Sequence, residues 1–171
     1  MRYARKIHSL IGDLYLIANE SSLISLDNVL TEPFISAIKS DHHEILEITY
    51  KQLTEYFQGS RTHFDIPLET AGTLFQQKSW NALKQIPFGK VWSYGKQAKF
   101  LNAPKASRAV GAANGKNPIP IIIPCHRVVG SKGSLTGYSG GMEMKIALLK
   151  HEGHSIDGLQ LRNLKMPLLK I

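Results

Sequence analysis

One short run of residues carries the side chains best suited to covalent chemistry: Pro124-Cys125-His126-Arg127. A thiol is an effective nucleophile only as the thiolate, and a neighbouring cation or proton acceptor favours that form. His126 follows Cys125 directly, but adjacent residues on a strand point to opposite sides. His126 can therefore serve the thiol only if the chain turns there or a water molecule lies between them. The run predicts a cysteine nucleophile, with a buried and inert thiol as the alternative.

A glycine-rich stretch follows the cysteine and surrounds Tyr138 and Ser139. Its glycines are Gly130, Gly133, Gly137, Gly140 and Gly141. A loop of this kind turns tightly and can offer backbone N–H groups and an aromatic face to a planar ligand. A plain surface loop would explain the glycines alone.

Metal chemistry is the other option for these side chains, because Cys125, His126, His151 and His154 can all bind zinc. The chain has one cysteine, which excludes both a C-x-x-C pair and an intrachain disulfide. The spacing of His151 and His154 also differs from H-E-x-x-H, and the glycine between them indicates the end of a helix. We therefore predict no metal site.

Charge is distributed unevenly along the chain, which has a net charge of +8. Residues 1–70 carry 6 Lys and Arg against 10 Asp and Glu, whereas residues 71–171 carry 15 against 3. No acidic residue occurs between Glu69 and Glu143. Clustered positive charge is typical of a protein that binds a polyanion, so we predict a nucleic acid as the partner. A solvated basic face that favours solubility is the alternative.

Length and composition are those of a soluble globular protein. The 171 residues are 43% hydrophobic and 20% charged, which leaves disordered, collagen-like and coiled-coil structures without a compositional basis. The densest apolar run, 119–124, is too short to span a bilayer, and no long apolar stretch follows the N-terminus. We expect neither secretion nor membrane insertion.

The first 70 residues predict a small α/β domain. Apolar and polar residues alternate in three short segments, 3–7, 14–18 and 23–26. This alternation predicts an antiparallel meander. Asp41 and Glu44 have capping-box spacing before a helical repeat that reaches Phe57, so one helix should cover the sheet. We place the domain boundary near residue 70, where the charge changes, and assign 71–171 to a second domain.

The second domain is predicted to be mainly helical. Thr73 and Ser93 can each cap a helix, and a further helix is predicted over residues 105–114 after a tight turn. Two short helices joined by a tight turn inside a basic segment predict a helix-turn-helix. Small residues dominate the later helix, which suits close approach to DNA or to another helix, and Arg108 projects from among them. A last helix is predicted over residues 141–151.

Six short motifs occur in order along this second domain. They are Ser93-Tyr94, Arg108-Ala109-Val110-Gly111, Asn117-Pro118, Pro124-Cys125-His126-Arg127-Val128-Val129, Tyr138-Ser139-Gly140-Gly141 and His151-Glu152-Gly153. Together they resemble the O6-alkylguanine-DNA alkyltransferase family over residues 75–155. The resemblance implies an α/β (α+β) fold class, in which a small ribonuclease-H-like N-terminal domain precedes a mainly helical, winged-helix-like DNA-binding domain.

The resemblance also implies a direct and irreversible DNA repair reaction. Cys125 would attack the alkyl carbon on O6 of guanine, with O4 of thymine as an open second position, and would keep the alkyl group as a thioether. His126 would take the thiol proton through a water molecule, and Glu152 would orient the imidazole, as in a triad with cysteine. The alternative for Glu152 is that it ends the last helix in solvent.

The other residues implied by the resemblance bind DNA and the target base. Tyr94 would donate a proton toward the departing guanine and meet the phosphate, and Arg108 would occupy the space of the flipped nucleotide. Asn117 would brace the active-site turn. The implied DNA-binding set is Arg108, Tyr94, Ser93 and Ala106, and the implied substrate pocket is Val128, Tyr138, Ser139 and Asn117.

The implied partner is double-stranded DNA containing O6-alkylguanine, bound through the minor groove, where little sequence information is read. Because O6 lies inside the duplex, the base must be extruded at a cost of about a few kcal/mol. No cofactor is expected, because damaged DNA is the alkyl donor. We expect a stand-alone monomer in the cytoplasm at the nucleoid, or in the nucleus of a eukaryote, without the extra N-terminal domain of bacterial adaptive-response members.

Two other functions fit parts of the sequence. Alkyltransferase-like proteins bind damaged DNA without repairing it, but they lack the acceptor cysteine, so Cys125 argues against this function. A cysteine hydrolase could use Cys125, His126 and Glu152. Hydrolysis needs an acyl substrate and a deacylating water, and the sequence indicates neither.

Overall fold

The structure is a computed structural model that describes residues 1–162, so residues 163–171 of the predicted second domain lie outside the described part. Contacts between residues divide the chain into two units. The first comprises Met1–Thr73 with Pro118–Ile122, and the second comprises Leu74–Asn117 with the chain from Ile123 onward. No helix within residues 1–162 is long and apolar enough to cross a membrane.

The first unit contains a four-stranded sheet and two helices. Its elements are β1 (Tyr3–Ser9), β2 (Gly12–Ala18), β3 (Leu23–Asp27), α1 (Glu32–Ile35), β4 (Ile38–Lys39) and α2 (Glu44–Phe57). The antiparallel meander of β1, β2 and β3 confirms the prediction, and β4 adds a parallel edge, giving the order β3-β2-β1-β4. The turn between β1 and β2 ends at Gly12, whose φ of +104° favours glycine.

Helix α2 covers the sheet, as predicted. Leu46 and Leu53 on its apolar face are fully buried, and the helix packs on β1 and β2. Its start differs from the predicted capping box, because His43 is the N-cap residue and its side chain makes no capping hydrogen bond. The carboxylate of Asp41 lies instead 3.4 Å from Nε of Arg5. An ion pair with β1 thus takes the place of the predicted cap.

The second unit is mainly helical. Its elements are α3 (Leu74–Leu83), β5 (Trp92–Ser93), α4 (Tyr94–Phe100), α5 (Ser107–Asn114), a 3-10 turn (Cys125–Arg127), β6 (Val128–Val129), α6 (Met142–His151), β7 (Ser155–Asp157) and β8 (Gln160–Arg162). β7 and β8 form an antiparallel hairpin. β5 and β6 pair in parallel, with Trp92 opposite Val128 and Ser93 opposite Val129. This pair joins the start of α4 to the strand that leaves Cys125.

Helices α4 and α5 form the predicted pair around a tight turn. Ser93 caps α4, because its Oγ accepts a backbone N–H of the first turn at 3.0 Å. α5 begins at Ser107, two residues later than predicted, with Ala106 as its N-cap residue. The buried amides of Gln97 and Asn114 hydrogen-bond to each other at 2.8 and 3.1 Å. These bonds fix one helix against the other.

The two sides of α5 have different environments. Val110 and Ala113 are buried, whereas Arg108, Ala109 and Ala112 are exposed. Interior packing therefore explains the small residues on only one side of this helix. The other side presents small side chains and one guanidinium group to solvent.

Candidate active site

Cys125 lies at the start of a 3-10 turn that changes the direction of the chain. The backbone N–H of Cys125 donates to Ile123 at 2.8 Å, and that of Arg127 donates to Pro124 at 3.0 Å. Strand alternation therefore does not apply at Cys125, because the chain turns there. Nδ2 of Asn117 donates to Ile123 O at 2.7 Å and lies 3.1 Å from Sγ of Cys125, so this amide braces the turn and contacts the thiol.

Burial controls the acidity of the thiol. Cys125 is 4% exposed, and burial raises its pKa, although the hydrogen bond from Asn117 and the charge of Lys145 act to lower it. The groups near Cys125 do not favour the thiolate as its sequence neighbours predict, because burial outweighs them. The resting thiol is protonated at neutral pH, so a proton acceptor is needed before it can act as a nucleophile.

His126 has the properties of such an acceptor. Its ring is fully buried, and Nε2 lies 2.9 Å from Oε1 of Glu152. Burial lowers the pKa of His126 and Glu152 raises it, with burial the larger influence, so the ring is neutral at pH 7. A neutral ring that donates from Nε2 to a carboxylate leaves Nδ1 unprotonated. Nδ1 is buried and has no hydrogen-bond partner among residues 1–162, so it is the open position for a proton.

Glu152 is the C-cap residue of α6 and is 5% exposed, so it does not end the helix in solvent. Nε and Nη2 of Arg127 lie 2.9 and 2.8 Å from its oxygens, and the N–H of Gly89 donates at 3.1 Å. Burial raises the pKa of Glu152, but hydrogen bonds from His126 and Arg127 and the charge of Arg127 hold that pKa well below its usual range. The carboxylate stays ionised and can stabilise an imidazolium ion on His126.

Arg127 is a residue whose position the sequence argument missed. It was noted only as a cation near the thiol, whereas its guanidinium group binds Glu152 and also donates from Nη1 to Ile86 O at 2.6 Å. The guanidinium group is 7% exposed. Its place next to His126 is the one sequence feature that could have indicated a role in the site, because its partner Glu152 is 25 residues away in sequence.

A groove of ≈ 420 Å³ contains several of the predicted pocket residues. Its lining residues are Tyr94, Ser107, Gly111, Gly115, Thr136, Gly137, Tyr138 and Ser139. The hydroxyl of Tyr94 donates to Thr136 O at 3.2 Å. Burial raises the pKa of Tyr94, so the phenol keeps its proton at neutral pH and can donate it. A Cβ atom added to Gly111 would lie 3.6 Å from the Tyr94 ring, so a helix of small residues leaves this ring room.

The structure places the predicted site residues in three locations. Cys125, His126, Glu152 and Asn117 lie in one buried cluster. Tyr94, Tyr138 and Ser139 line the groove, and Val128 is buried in β6 next to the turn. The predicted DNA contacts lie on the helix pair: Ser93 caps α4, Ala106 caps α5, and Arg108 is exposed on α5.

Lys145 is a second residue that the sequence argument missed. It is fully buried on α6 between buried positions Met144 and Leu148, and its charge acts on Cys125. Lys145 falls among the apolar residues that define the buried face of the predicted last helix, and this position could have indicated its burial. Within residues 1–162, no group of three or more His, Cys, Asp and Glu side chains could hold a metal ion.

Comparison with protein families gives two matches. Residues 2–70 match the ribonuclease-like domain of 6-O-methylguanine DNA methyltransferase, and residues 74–154 match its DNA-binding domain. A methylated-DNA–protein-cysteine methyltransferase of Methanosarcina acetivorans is 44% identical over 153 residues, covering 88% of this chain and 98% of that protein. One of Mycobacterium leprae is 44% identical over 158 residues, covering 91% and 95%.

Solved structures are similar over most of the chain. The crystal structure of Mycobacterium tuberculosis O6-methylguanine methyltransferase has a TM-score of 0.83 at 44% identity, covering 89% of this chain and 93% of that one. The crystal structure of Mycobacterium tuberculosis OGT in complex with DNA has a TM-score of 0.82 at 45% identity, covering 88% and 92%. The predicted fold class, a ribonuclease-like domain followed by a helical DNA-binding domain, is confirmed.

Proposed function

The chain belongs to the 6-O-methylguanine DNA methyltransferase family, with methylated-DNA–protein-cysteine methyltransferase activity, and we propose that Sγ of Cys125 is its alkyl acceptor. This activity requires a cysteine of the protein, and Cys125 is the one cysteine in the chain. The observation that carries the proposal is the buried contact of His126 with Glu152 beside a thiol that burial keeps protonated.

The reaction begins with removal of the thiol proton. The proton passes from Sγ of Cys125 through a water molecule to Nδ1 of His126, and Glu152 stabilises the imidazolium ion that forms. A sulfur lone pair then forms the S–C bond to the alkyl carbon while the C–O6 bond breaks and its electron pair goes to guanine. Tyr94 donates a proton toward the departing base. Solvent then returns a proton to the Tyr94 phenolate and takes one from the His126 imidazolium. The thioether has no facile leaving path, so each molecule reacts once.

Access to O6 requires the target nucleotide to leave the base stack. The segment without acidic residues supplies charge that binds phosphates, and the small exposed side chains of α5 suit shallow entry into the minor groove. Arg108 projects from this side and occupies the space of the flipped nucleotide. The extruded base then enters the groove beside Tyr94 and Tyr138. O4 of thymine is a second target of the same chemistry. The protein acts as a monomer, in the cytoplasm at the nucleoid or in the nucleus of a eukaryote.

The direct test is the stoichiometry of transfer. Excess duplex containing O6-methylguanine should give a burst equal to the amount of protein and no further turnover, and the Cys125 peptide should gain one methyl group by mass spectrometry. Cys125→Ser, which keeps nearly the same shape, should gain none and still bind the duplex. A protein that only binds damage would gain no mass, and sustained turnover would indicate a hydrolase instead.

The role of Arg108 needs a test that separates base extrusion from chemistry. Arg108→Ala should slow repair of duplex more than reaction with free O6-benzylguanine, because the free base needs no extrusion. Lys105→Ala, the control, removes an exposed charge from the same segment. It should weaken DNA binding and reduce the salt dependence of that binding. It should not slow repair of duplex more than reaction with free O6-benzylguanine. Equal losses of Arg108→Ala on the two substrates would contradict the finger role.

A further inference from the structure

Lys145 is a charged side chain that the proposed reaction does not use, although it is fully buried. On α6 it lies among the buried residues Met144, Leu148 and Leu149. A lysine is seldom fully buried unless its ammonium group finds partners, because desolvation of the charge is unfavourable. Its partners therefore indicate what the residue does.

The ammonium group joins two backbone segments of the second unit. Nζ donates to Val128 O at 2.7 Å and to Thr136 O at 3.1 Å. Val128 belongs to β6 and directly follows the turn that holds Cys125. Thr136 belongs to the glycine loop, which we define as residues 130–141. The side chain thus ties the glycine loop to the strand beside the nucleophile.

The carbonyl of Thr136 has a second donor, the hydroxyl of Tyr94, at 3.2 Å. A carbonyl oxygen has two lone pairs and can accept both bonds. Nζ of Lys145 lies 6.0 Å from the centroid of the Tyr94 ring. The direction of the Tyr94 hydroxyl therefore depends on where Lys145 holds Thr136.

Backbone hydrogen bonds at Gly133 and Leu135 already hold the first part of the glycine loop to the β7–β8 hairpin. Lys145 adds a tether at Thr136, where the backbone that follows is permissive. Gly133 and Gly137 have φ values of +81° and +42°, in the region that favours glycine, and glycine retains the most conformational freedom of any residue. Thr136, Tyr138 and Ser139 of this loop line the groove beside Tyr94. Movement of the loop would change both the shape of the groove and the direction of the phenol.

We propose that Lys145 is a positioning residue that tethers the glycine loop to β6 and, through the carbonyl of Thr136, orients the Tyr94 hydroxyl toward the substrate groove. The inference rests on the proposed function, in which Tyr94 donates a proton to the departing guanine. Burial lowers the pKa of Lys145 to about 8, so the ammonium form dominates at neutral pH.

Hydrogen exchange tests the tether without reference to the reaction. In Lys145→Met, amide exchange in residues 130–141 should become about tenfold or more faster, while exchange in α3 and α5 stays unchanged. Lys150→Met removes an exposed lysine from the same helix and is the matched control, with no change in the loop. If Lys145→Met does not fold, Lys145→Leu, which likewise has no donor group, takes its place. Unchanged loop exchange in the folded variant would overturn the tether.

A double-variant cycle tests whether Lys145 acts through Tyr94. Lys145→Met should slow repair of duplex by about tenfold to a hundredfold, because misplacement of a reacting group by about 1 Å has an effect of this size. In a Tyr94→Phe background the same change should slow repair by less than about threefold, since the hydroxyl that it orients is already gone. Losses that multiply would overturn the orienting role. A methyl group gained by Cys125 in the unmodified protein, measured alongside, tests the proposed function separately.

Discussion

In the first unit, Nζ of Lys6 lies 2.7 Å from Oδ2 of Asp13, and the two side chains are 43% and 38% exposed. In the second unit, Nη2 of Arg127 lies 2.8 Å from Oε1 of Glu152, and these side chains are 7% and 0% exposed. The two distances are nearly equal. The difference between the pairs is therefore in their surroundings rather than in their geometry.

Surroundings decide what each ion pair contributes. Water and salt screen the pair in the first unit, so it adds little to the free energy of unfolding. The pair in the second unit has lost its hydration, and hydrogen bonds from Gly89 and His126 to Glu152 replace part of it. Removal of one member would leave the others buried without a partner, and the intact network fixes the orientation of the His126 ring. Four changes and one titration test this contrast.

The largest effect is expected from Arg127→Met. This change should lower the free energy of unfolding by about 3–5 kcal/mol, because it leaves Glu152 as a buried carboxylate without its cation. Urea unfolding followed by circular dichroism measures it. If the loss in free energy of unfolding were no greater than that of an exposed ion pair, burial of the Arg127–Glu152 pair would not increase its contribution to stability.

Low pH should weaken the network around Glu152 by protonating its carboxylate. Because the pKa of Glu152 in the folded protein lies below its ordinary value of 4.5, the stability that it contributes is complete above that value. This contribution should be lost as the pH falls through the folded-state pKa. Unfolding measured from pH 6 downward should show it, and Glu152→Gln, which has no proton to gain there, should lack this part of the pH dependence.

Glu152→Gln should also slow alkyl transfer by about tenfold or more, because a neutral amide stabilises the imidazolium ion less than a carboxylate does. The pH profile for alkylation of Cys125 by a small thiol reagent should move to higher pH, since the proton leaves less readily. DNA affinity should change little. Profiles that overlay those of the unmodified protein would remove Glu152 from the proton path.

Ser93→Ala is a moderate change at the edge of the second unit. Loss of the N-cap of α4 should reduce the free energy of unfolding by about 1 kcal/mol, because the backbone N–H of Lys96 loses its acceptor. Thermal or urea unfolding measures the difference. Ser131→Ala, at an exposed loop position, is the control and should leave stability unchanged.

The smallest effect is expected from Asp13→Asn in the first unit. Its partners Lys6 and His8 are exposed and can return to water, so the urea midpoint should not shift beyond error. Measurements at low and high salt should also agree closely in the variant. A clear loss of stability would mean that the exposed Lys6–Asp13 pair contributes to the free energy of unfolding despite its contact with water.

Features that depend on neighbouring residues could be predicted from the sequence. Alternation predicted β1, β2 and β3, because each strand shows its own period. Ser93 was identified as a cap from its place before a short helix. The six short motifs together indicated the family, since the residues of each motif are adjacent in sequence.

Features that depend on distant residues could not be predicted in the same way. Strand β4 has two residues and pairs with β1 across more than 30 positions, which is too short for a periodic signal. Asp41 has the spacing of a cap, but Arg5 competes for its carboxylate. The contacts of Arg127 and Lys145 depend on the folded path of α6, so sequence could place these cations but not their partners.

The ladder between β5 and β6 has a consequence for how the molecule works over time. Its four residues, Trp92, Ser93, Val128 and Val129, include no glycine or proline, and the two valines are stiff at χ1. In many enzymes the opening of loops to release product limits the rate of turnover. A protein that keeps its product and reacts once has no cycle to complete. A stiff connection between the start of α4 and the turn at Cys125 therefore does not slow such a protein, because it has no product to release.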